Sequence, residues 1–181
     1  MNWNKTKQQI NNLPYGRNSS RNDLSLVLSE QRGTCSSKHA YLKQFALDNN
    51  IEGVKLILGM YKMNHKNTPT IGNVLIEHKL EFIPEAHCYL LENGIRNDYT
   101  FRGNNKFKLE QDLLQEIEIE PQQVADYKIQ YHQQFIREWK EKNSIPFSFK
   151  ELWDIREQCI SNIVNCNQTR LTRYITKPII L

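Results

Sequence analysis

The pattern of apolar and polar residues predicts paired strands in the middle of the chain. From residue 54 to residue 60, apolar side chains occupy every second position: Val54, Leu56, Leu58 and Met60. This alternation predicts a mostly buried strand. Residues 87–91 are also typical of a strand, and Asn93-Gly94 after them is a strong signal for a two-residue hairpin turn. We therefore expect residues 95–101 to return as a second, antiparallel strand.

Helical patterns precede these strands. Asn22 and Asp23 can cap a helix that runs to about Glu30, after an N-terminal arm over residues 1–21 that contains at most a short helix. Gly33 breaks this helix. Thr34-Cys35 then opens another, whose small hydroxyl residues can satisfy the N–H groups of its first turn.

The last third of the chain predicts two amphipathic helices. Proline follows Glu120 at a first helical position, and Ser148 with Glu151 forms a capping box for the second helix. The apolar stripe of the first helix is Val124, Tyr127, Tyr131, Phe135 and Trp139, and that of the second is Leu152, Ile155, Cys159 and Ile163. We expect both stripes to pack in the core rather than to bind a cofactor. The fold class is therefore α+β, with residues 1–181 as a single domain.

Composition and charge narrow the classes of function. The 181 residues are 39% hydrophobic and 24% charged, which is typical of a soluble globular domain. The net charge of +4 comes from basic residues interleaved with acidic ones, so no basic stripe for nucleic acid stands out. No apolar run is long enough for a membrane span, and residues 1–10 lack the apolar segment of a signal peptide. We expect a cytoplasmic protein without a membrane or nucleic-acid partner.

One cysteine has a position that favours chemistry. None of the four cysteines has Cys-x-x-Cys spacing, so we expect free thiols at residues 35, 88, 159 and 166. Cys35 begins a predicted helix, where the helix dipole favours a thiolate and backbone N–H groups can bind an oxyanion. The alternative is that Cys35 is a small buried residue at a helix end. Cys159 and Cys166 lie on or after an apolar stripe, where we expect inert core thiols.

The predicted hairpin supplies a base for this cysteine. If Asn93 and Gly94 form the turn, residue 89 faces residue 98, and His87 and Asp98 are diagonal neighbours on one side of the sheet. An aspartate in that position can orient the imidazole and stabilise its charged form. His39 lies one helical turn after Cys35 and can approach it on the same face. Alternatively, His87 and Asp98 are ordinary polar residues of a strand and a turn.

The run Gly33-Thr34-Cys35-Ser36-Ser37-Lys38-His39-Ala40 resembles the nucleophile segment of transglutaminase-like domains. The order of the elements after it is also similar over residues 24–105, with helices at about 120–165 as an extension. The resemblance implies a papain/transglutaminase-like core, with the nucleophile at a helix N-terminus that packs on an antiparallel sheet. It also implies a triad of Cys35 as nucleophile, His87 as general base and acid, and Asp98 as the orienting acid. The oxyanion donor is the Cys35 N–H or, as a second candidate, the Gln31 side chain.

This resemblance implies a function with open alternatives. It points to a thiol-dependent enzyme, without a cofactor, that forms an acyl-enzyme on Cys35 from a peptide or amide substrate. Water as acceptor makes it a peptidase, amidase or deamidase, and an amine makes it an acyltransferase. The sequence departs from the family at Tyr89, where a tryptophan is common, and in lacking a proline just after Asp98. One alternative is a non-catalytic transglutaminase-like binding module. Another is a metal site on Cys35, His39, His87 or Cys88, although no recognised ligand spacing is present.

Overall fold

The computed structural model describes residues 2–103 and 105–175. It has an α+β fold, which confirms the predicted class. The strands are β1 (Val54–Met63), β2 (Ile83–Glu92), β3 (Ile95–Asn97) and β4 (Leu113–Ile119). They form one antiparallel sheet in the order β3-β2-β1-β4. The sequence pattern found β1 and part of β2, whereas β4 was not predicted.

Helices cover the sheet and extend beyond it. They are α1 (Trp3–Asn12), α2 (Leu26–Ser29), α3 (Cys35–Asp48), α4 (Val74–Glu77), α5 (Asp126–Lys142) and α6 (Phe149–Ile175). The helix predicted to begin at Thr34-Cys35 is confirmed as α3, while the one predicted up to Glu30 is only the short α2. The capping box before α6 is confirmed, since the Ser148 N–H donates to Glu151 and the Glu151 N–H donates to Ser148. No helix in the described part of the chain is both long and apolar enough to cross a bilayer.

Two apolar clusters hold these elements together. The first packs α3 against β1 and β2, through the buried residues Ala40, Leu42, Ala46, Leu56, Leu58, Met60, Ala86, Cys88 and Leu90. The second packs α6 against α4 and the start of β2, and it includes the predicted stripe Leu152, Ile155, Cys159 and Ile163. The four cysteines are free thiols, as expected.

The stripe predicted after Glu120 packs in the core except at Tyr127: Val124 is buried, and Tyr131, Phe135 and Trp139 are partly buried and pack against the two clusters. Pro121 begins a short 3-10 turn rather than the helix. The backbone of Ala125, with φ −92° and ψ −108°, separates this turn from α5. The helix α5 therefore starts at Asp126 rather than at Pro121; its fully buried residues are His132 and Ile136, and Tyr127 is 41% exposed.

The hairpin between β2 and β3 has the predicted turn but a shorter second strand. Glu92 pairs with Ile95, and both Asn93 and Gly94 have positive φ, which confirms the two-residue turn. The strand predicted to reach residue 101 ends at Asn97, because the backbone N–H of Asp98 donates to the Asn105 carbonyl instead. As a result, β3 pairs only with residues 90–92 at the end of β2.

Candidate active site

The start of α3 is fixed by contacts around Cys35. The Ser37 hydroxyl accepts a hydrogen bond from the Thr34 N–H at 3.0 Å, and the Thr34 hydroxyl accepts one from the Ser37 N–H at 3.4 Å. A side chain at Gly33 would place its Cβ 2.8 Å from Lys38 Cγ, so this position requires glycine. Cys35 is thereby held as the first residue of the helix, where the dipole and the N–H groups of the first turn favour an anion.

His87 joins Cys35 and Asp98. On β2, its Nε2–H donates to Asp98 Oδ2 at 2.8 Å. Because Nε2 is occupied by the carboxylate, Nδ1 is the ring nitrogen that remains to exchange a proton with Cys35, which lines the same cavity as His87. The structure therefore brings the three sequence-predicted residues together in the order Cys35, His87, Asp98.

The charges in this row stabilise one another. Burial acts to raise the pKa of the Cys35 thiol, but the Lys128 ammonium and the His87 imidazolium lower it to about 6. Burial acts to lower the pKa of His87, but the Asp98 carboxylate and the Cys35 thiolate raise it well above its ordinary value. The pKa of Asp98 is held far below its ordinary value, against the effect of burial, by the charge and the hydrogen bond of His87. At neutral pH the pair is therefore thiolate and imidazolium.

Lys128 is a member of the site that the sequence reasoning missed. From α5, its Nζ donates to the Ser36 hydroxyl at 2.6 Å and lies 3.9 Å from the Cys35 sulfur. Burial acts to lower the pKa of Lys128, but the Cys35 thiolate and nearby anions raise it, so the group stays an ammonium. A second fixed positive charge therefore stands beside the nucleophile, on the side away from Asp98.

His39 is a positioning residue rather than the base. Its Nε2 accepts a hydrogen bond from the Tyr99 backbone N–H at 2.7 Å, so the ring proton is on Nδ1 and is donated to the Cys35 carbonyl, also at 2.7 Å. Burial lowers the pKa of His39 to about 4, which keeps the ring neutral. Both ring nitrogens are occupied by the backbone, and neither is available to take a proton from the thiol.

Lys38 supports the same segment from the other side of α3. Its buried ammonium group donates to the carbonyls of Leu13, at 2.6 Å, and Thr100, at 2.8 Å. The Thr100 N–H in turn donates to Asp98 Oδ1 at 2.9 Å. Lys38 thus links the residues that follow Asp98 to the N-terminal arm.

Gln31 is not part of this arrangement. Its side-chain amide donates to the Leu28 carbonyl at 2.5 Å, and the residue is exposed on the surface. It lines neither of the cavities at Cys35. This placement gives no support to the predicted oxyanion role of Gln31, and of the two candidates only the Cys35 N–H lies at the nucleophile.

Two cavities meet at Cys35. The first, here called the α5-side cavity, has a volume of about 310 Å³ and is lined by Ser36, Lys128 and Arg156 among others. The second, here called the loop-side cavity, has a volume of about 490 Å³ and is lined by residues that include His87 and Asp98. Cys35, which is 8% exposed, lines both of them.

A buried ion pair forms part of the wall that the two cavities share. Glu85 lines both cavities, and both of its carboxylate oxygens accept hydrogen bonds from Arg156 at 2.6 Å. Glu85 lies two residues before His87 on β2, whereas Arg156 belongs to α6. The C-terminal helix is in this way connected to the strand that carries the base.

No protein-family model, no curated protein and no solved structure matches the chain. Among the residues that the structure describes, no group of three or more His, Cys, Asp and Glu side chains is arranged to hold a metal ion. The chemical interpretation therefore depends on the geometry around Cys35, His87, Asp98 and Lys128.

Proposed function

We propose that the protein is a thiol-dependent enzyme that acts on an amide bond through an acyl-enzyme on Cys35, and that residues 24–105 form a transglutaminase-like core. The observation that carries this proposal is the hydrogen bond from His87 to Asp98, with Cys35 lining the same cavity as both residues and stabilised electrostatically by the His87 imidazolium. The low pKa of Cys35 supports it, because the thiolate is the nucleophilic form of cysteine.

In the first half of the reaction, the Cys35 thiolate attacks the carbonyl carbon of the substrate. A carbon–sulfur bond forms, and the π electrons of the carbonyl move to oxygen. The Cys35 N–H at the start of α3 and the Lys128 ammonium are the groups placed to stabilise this oxyanion. The carbon–nitrogen bond then breaks, and the His87 imidazolium gives its proton to the leaving amine.

In the second half, water or an amine attacks the thioester on Cys35. His87 is now neutral and takes the proton of the attacking group, while Asp98 stabilises the imidazolium that forms. The carbon–sulfur bond breaks and the thiolate is restored. Because His87 lines the loop-side cavity, the acceptor enters there after the first product leaves. Water gives hydrolysis and an amine gives transfer.

Acyl trapping tests this function. The protein is incubated with p-nitrophenyl acetate, and the acetylated residue is identified by peptide mass spectrometry. We expect an acetyl group on Cys35, no such adduct in Cys35→Ser, and strongly slowed acylation in His87→Ala. Cys166→Ala removes a half-buried thiol on α6 and is the matched control, which should behave like the wild type. Acetylation of another thiol, or equal acylation of Cys35 in His87→Ala, would instead favour a non-catalytic binding module.

A further inference from the structure

The charged side chains of the α5-side cavity are only partly paired with one another. Its carboxylates are Glu85 and Glu157, and its cations are Arg17, Arg21, Lys128 and Arg156. Glu85 binds Arg156, and Glu157 accepts hydrogen bonds from Arg156 at 2.6 Å and from Arg17 at 2.9 Å. Both carboxylates of the cavity are therefore already neutralised by two of its arginines.

The other two cations of this cavity are Arg21, which is exposed, and Lys128, which contacts the Cys35 sulfur and the Ser36 hydroxyl. Among the ion pairs of the described residues, neither Arg21 nor Lys128 contacts a carboxylate. Burial lowers the pKa of Arg21, and the positive charges of Arg17 and Arg156 lower it further than the Glu157 carboxylate raises it. An excess of positive charge therefore surrounds Arg21, and a bound anion would relieve the repulsion.

The position of His87 decides which part of the substrate enters this cavity. The leaving amine has to receive its proton from His87, which lines the loop-side cavity and is absent from the lining of the α5-side cavity. The acyl group therefore extends from the Cys35 sulfur to the opposite side, toward Lys128. A volume of about 310 Å³ lies at the small end of the range for small-molecule sites, roughly 300–1,000 Å³, and fits a short acyl group.

We propose that the acyl group taken by Cys35 bears an anionic substituent, a carboxylate or a phosphate, which Arg21 and Lys128 bind in the α5-side cavity. This inference rests on the proposed function, because it names the substrate class of the same nucleophile. It gives Lys128 a contact with the acidic acyl group when substrate is bound, besides its contact with the thiolate before the reaction and its part in stabilising the oxyanion. Arg21 has only the contact with the acidic acyl group and is a specificity residue.

Two alkylating agents separate the effect of a negative charge on the reagent from the reactivity of the thiol itself. Iodoacetate and iodoacetamide both transfer a two-carbon unit to the sulfur and release iodide, and they differ in that iodoacetate carries a carboxylate. The rate constant of iodoacetate at Cys35 is divided by that of iodoacetamide. This ratio is then divided by the same ratio for 2-mercaptoethanol, which gives a normalised ratio. We expect a normalised ratio of about ten or more at low salt, which falls as ionic strength rises.

Variants that each remove one positive charge show which side chain binds the anionic group. Arg21→Gln should lower the normalised ratio several-fold. Lys108→Gln, in the loop-side cavity, and Lys150→Gln, which removes an exposed ion pair with Asp154 on α6, are matched controls for loss of one positive charge. Both controls should keep the wild-type ratio. If the ratio falls in Lys108→Gln and not in Arg21→Gln, the acidic group is not in the α5-side cavity and the inference is wrong.

The same reagents distinguish this inference from the proposed function. Fast alkylation by iodoacetamide with a normalised ratio near one overturns the anionic substrate and leaves the thiol enzyme intact. Slow alkylation by iodoacetamide overturns the enzyme itself. Succinate and inorganic phosphate are then tested as protectants of Cys35 against iodoacetamide. Protection by succinate indicates a carboxylate and protection by phosphate indicates a phosphate, whereas no protection by either at millimolar concentration contradicts the inference.

Discussion

The imidazole of His39 accepts a hydrogen bond from the backbone N–H of Tyr99, at 2.7 Å, in the interior of the protein. Through its other nitrogen the same ring holds the carbonyl of Cys35. One neutral side chain thus joins the helix that carries the nucleophile to the residue that follows Asp98. The distance between nucleophile and acid depends on this ring, although the ring takes no part in the proton transfer.

Replacement of His39 should therefore affect stability and reactivity together. His39→Ala leaves the buried Tyr99 N–H without its partner, at a cost of about 1–3 kcal/mol, and removes the side-chain hydrogen bond to the Cys35 carbonyl. We expect a lower free energy of unfolding in urea and slower alkylation of Cys35. His65→Ala, at an exposed histidine, is the control and should change neither quantity. Wild-type alkylation in a stably folded His39→Ala would contradict the positioning role.

Asp98→Asn should raise the pKa of Cys35. The asparagine oxygen can still accept the hydrogen bond from the Thr100 N–H, so the turn is kept. Its amide nitrogen, however, faces His87 and can no longer stabilise the imidazolium. We expect the midpoint of Cys35 alkylation to move upward from about 6. The midpoint is measured from alkylation rates between pH 5 and pH 10, and an unchanged midpoint would show that Asp98 does not act through His87.

The buried histidines predict a stability that falls in acid. Burial lowers the pKa of both His39 and His132 to about 4, whereas an unfolded histidine has a value of about 6.5. The contribution of these two rings to the free energy of unfolding is therefore fully present above pH 6.5 and is lost as the pH falls toward 4. It amounts to at most about 3 kcal/mol for each ring. His87 acts in the opposite direction, since its raised pKa adds stability below pH 6.5 that is lost as pH rises through that pKa.

Urea unfolding between pH 4 and pH 8 measures this dependence. We expect the free energy of unfolding to drop between pH 6.5 and pH 4, with a shallower slope in His39→Ala than in the wild type. A slope that is identical in the two proteins would mean that His39 is not held neutral in the folded state.

The buried ion pair of Glu85 and Arg156 predicts that removal of one partner lowers stability more than removal of both. Arg156→Met leaves the Glu85 carboxylate buried without its partner, which should cost about 3–5 kcal/mol. The double variant Glu85→Leu/Arg156→Met removes both charges and should recover most of that loss. Lys150→Met breaks an exposed ion pair on the same helix and should cost about 0–1 kcal/mol. Thermal unfolding compares the four proteins, and an Arg156→Met variant as stable as Lys150→Met would contradict the burial argument.

The parts of the site that sequence predicts are those fixed by neighbouring residues. The turn at Asn93-Gly94 depends on two residues that adopt positive φ easily, so the register that places His87 near Asp98 follows from counting along the chain. The start of α3 likewise depends on the capping interactions between Thr34 and Ser37. In both cases the local preference and the final fold agree.

The parts that sequence does not predict come from distant segments. Lys128 reaches Cys35 across 93 residues, and Arg156 reaches Glu85 across 71. The start of α5 at Asp126 depends on the backbone break at Ala125, which no simple residue pattern marks. Strand β4 pairs with β1 through an irregular register near Met60, a relationship that tertiary packing determines rather than local propensity.

The measurement that tests the central claim most directly is the pH dependence of Cys35 alkylation. The folded protein is treated with iodoacetamide over a range of pH, and the modification of each cysteine is followed by peptide mass spectrometry. An activated thiolate predicts a midpoint of about 6 for Cys35, with a rate near pH 7 that is already close to its maximum. A rate that keeps rising to a midpoint of about 8.5, as for an ordinary cysteine, would contradict the thiolate–imidazolium pair and the enzyme built on it.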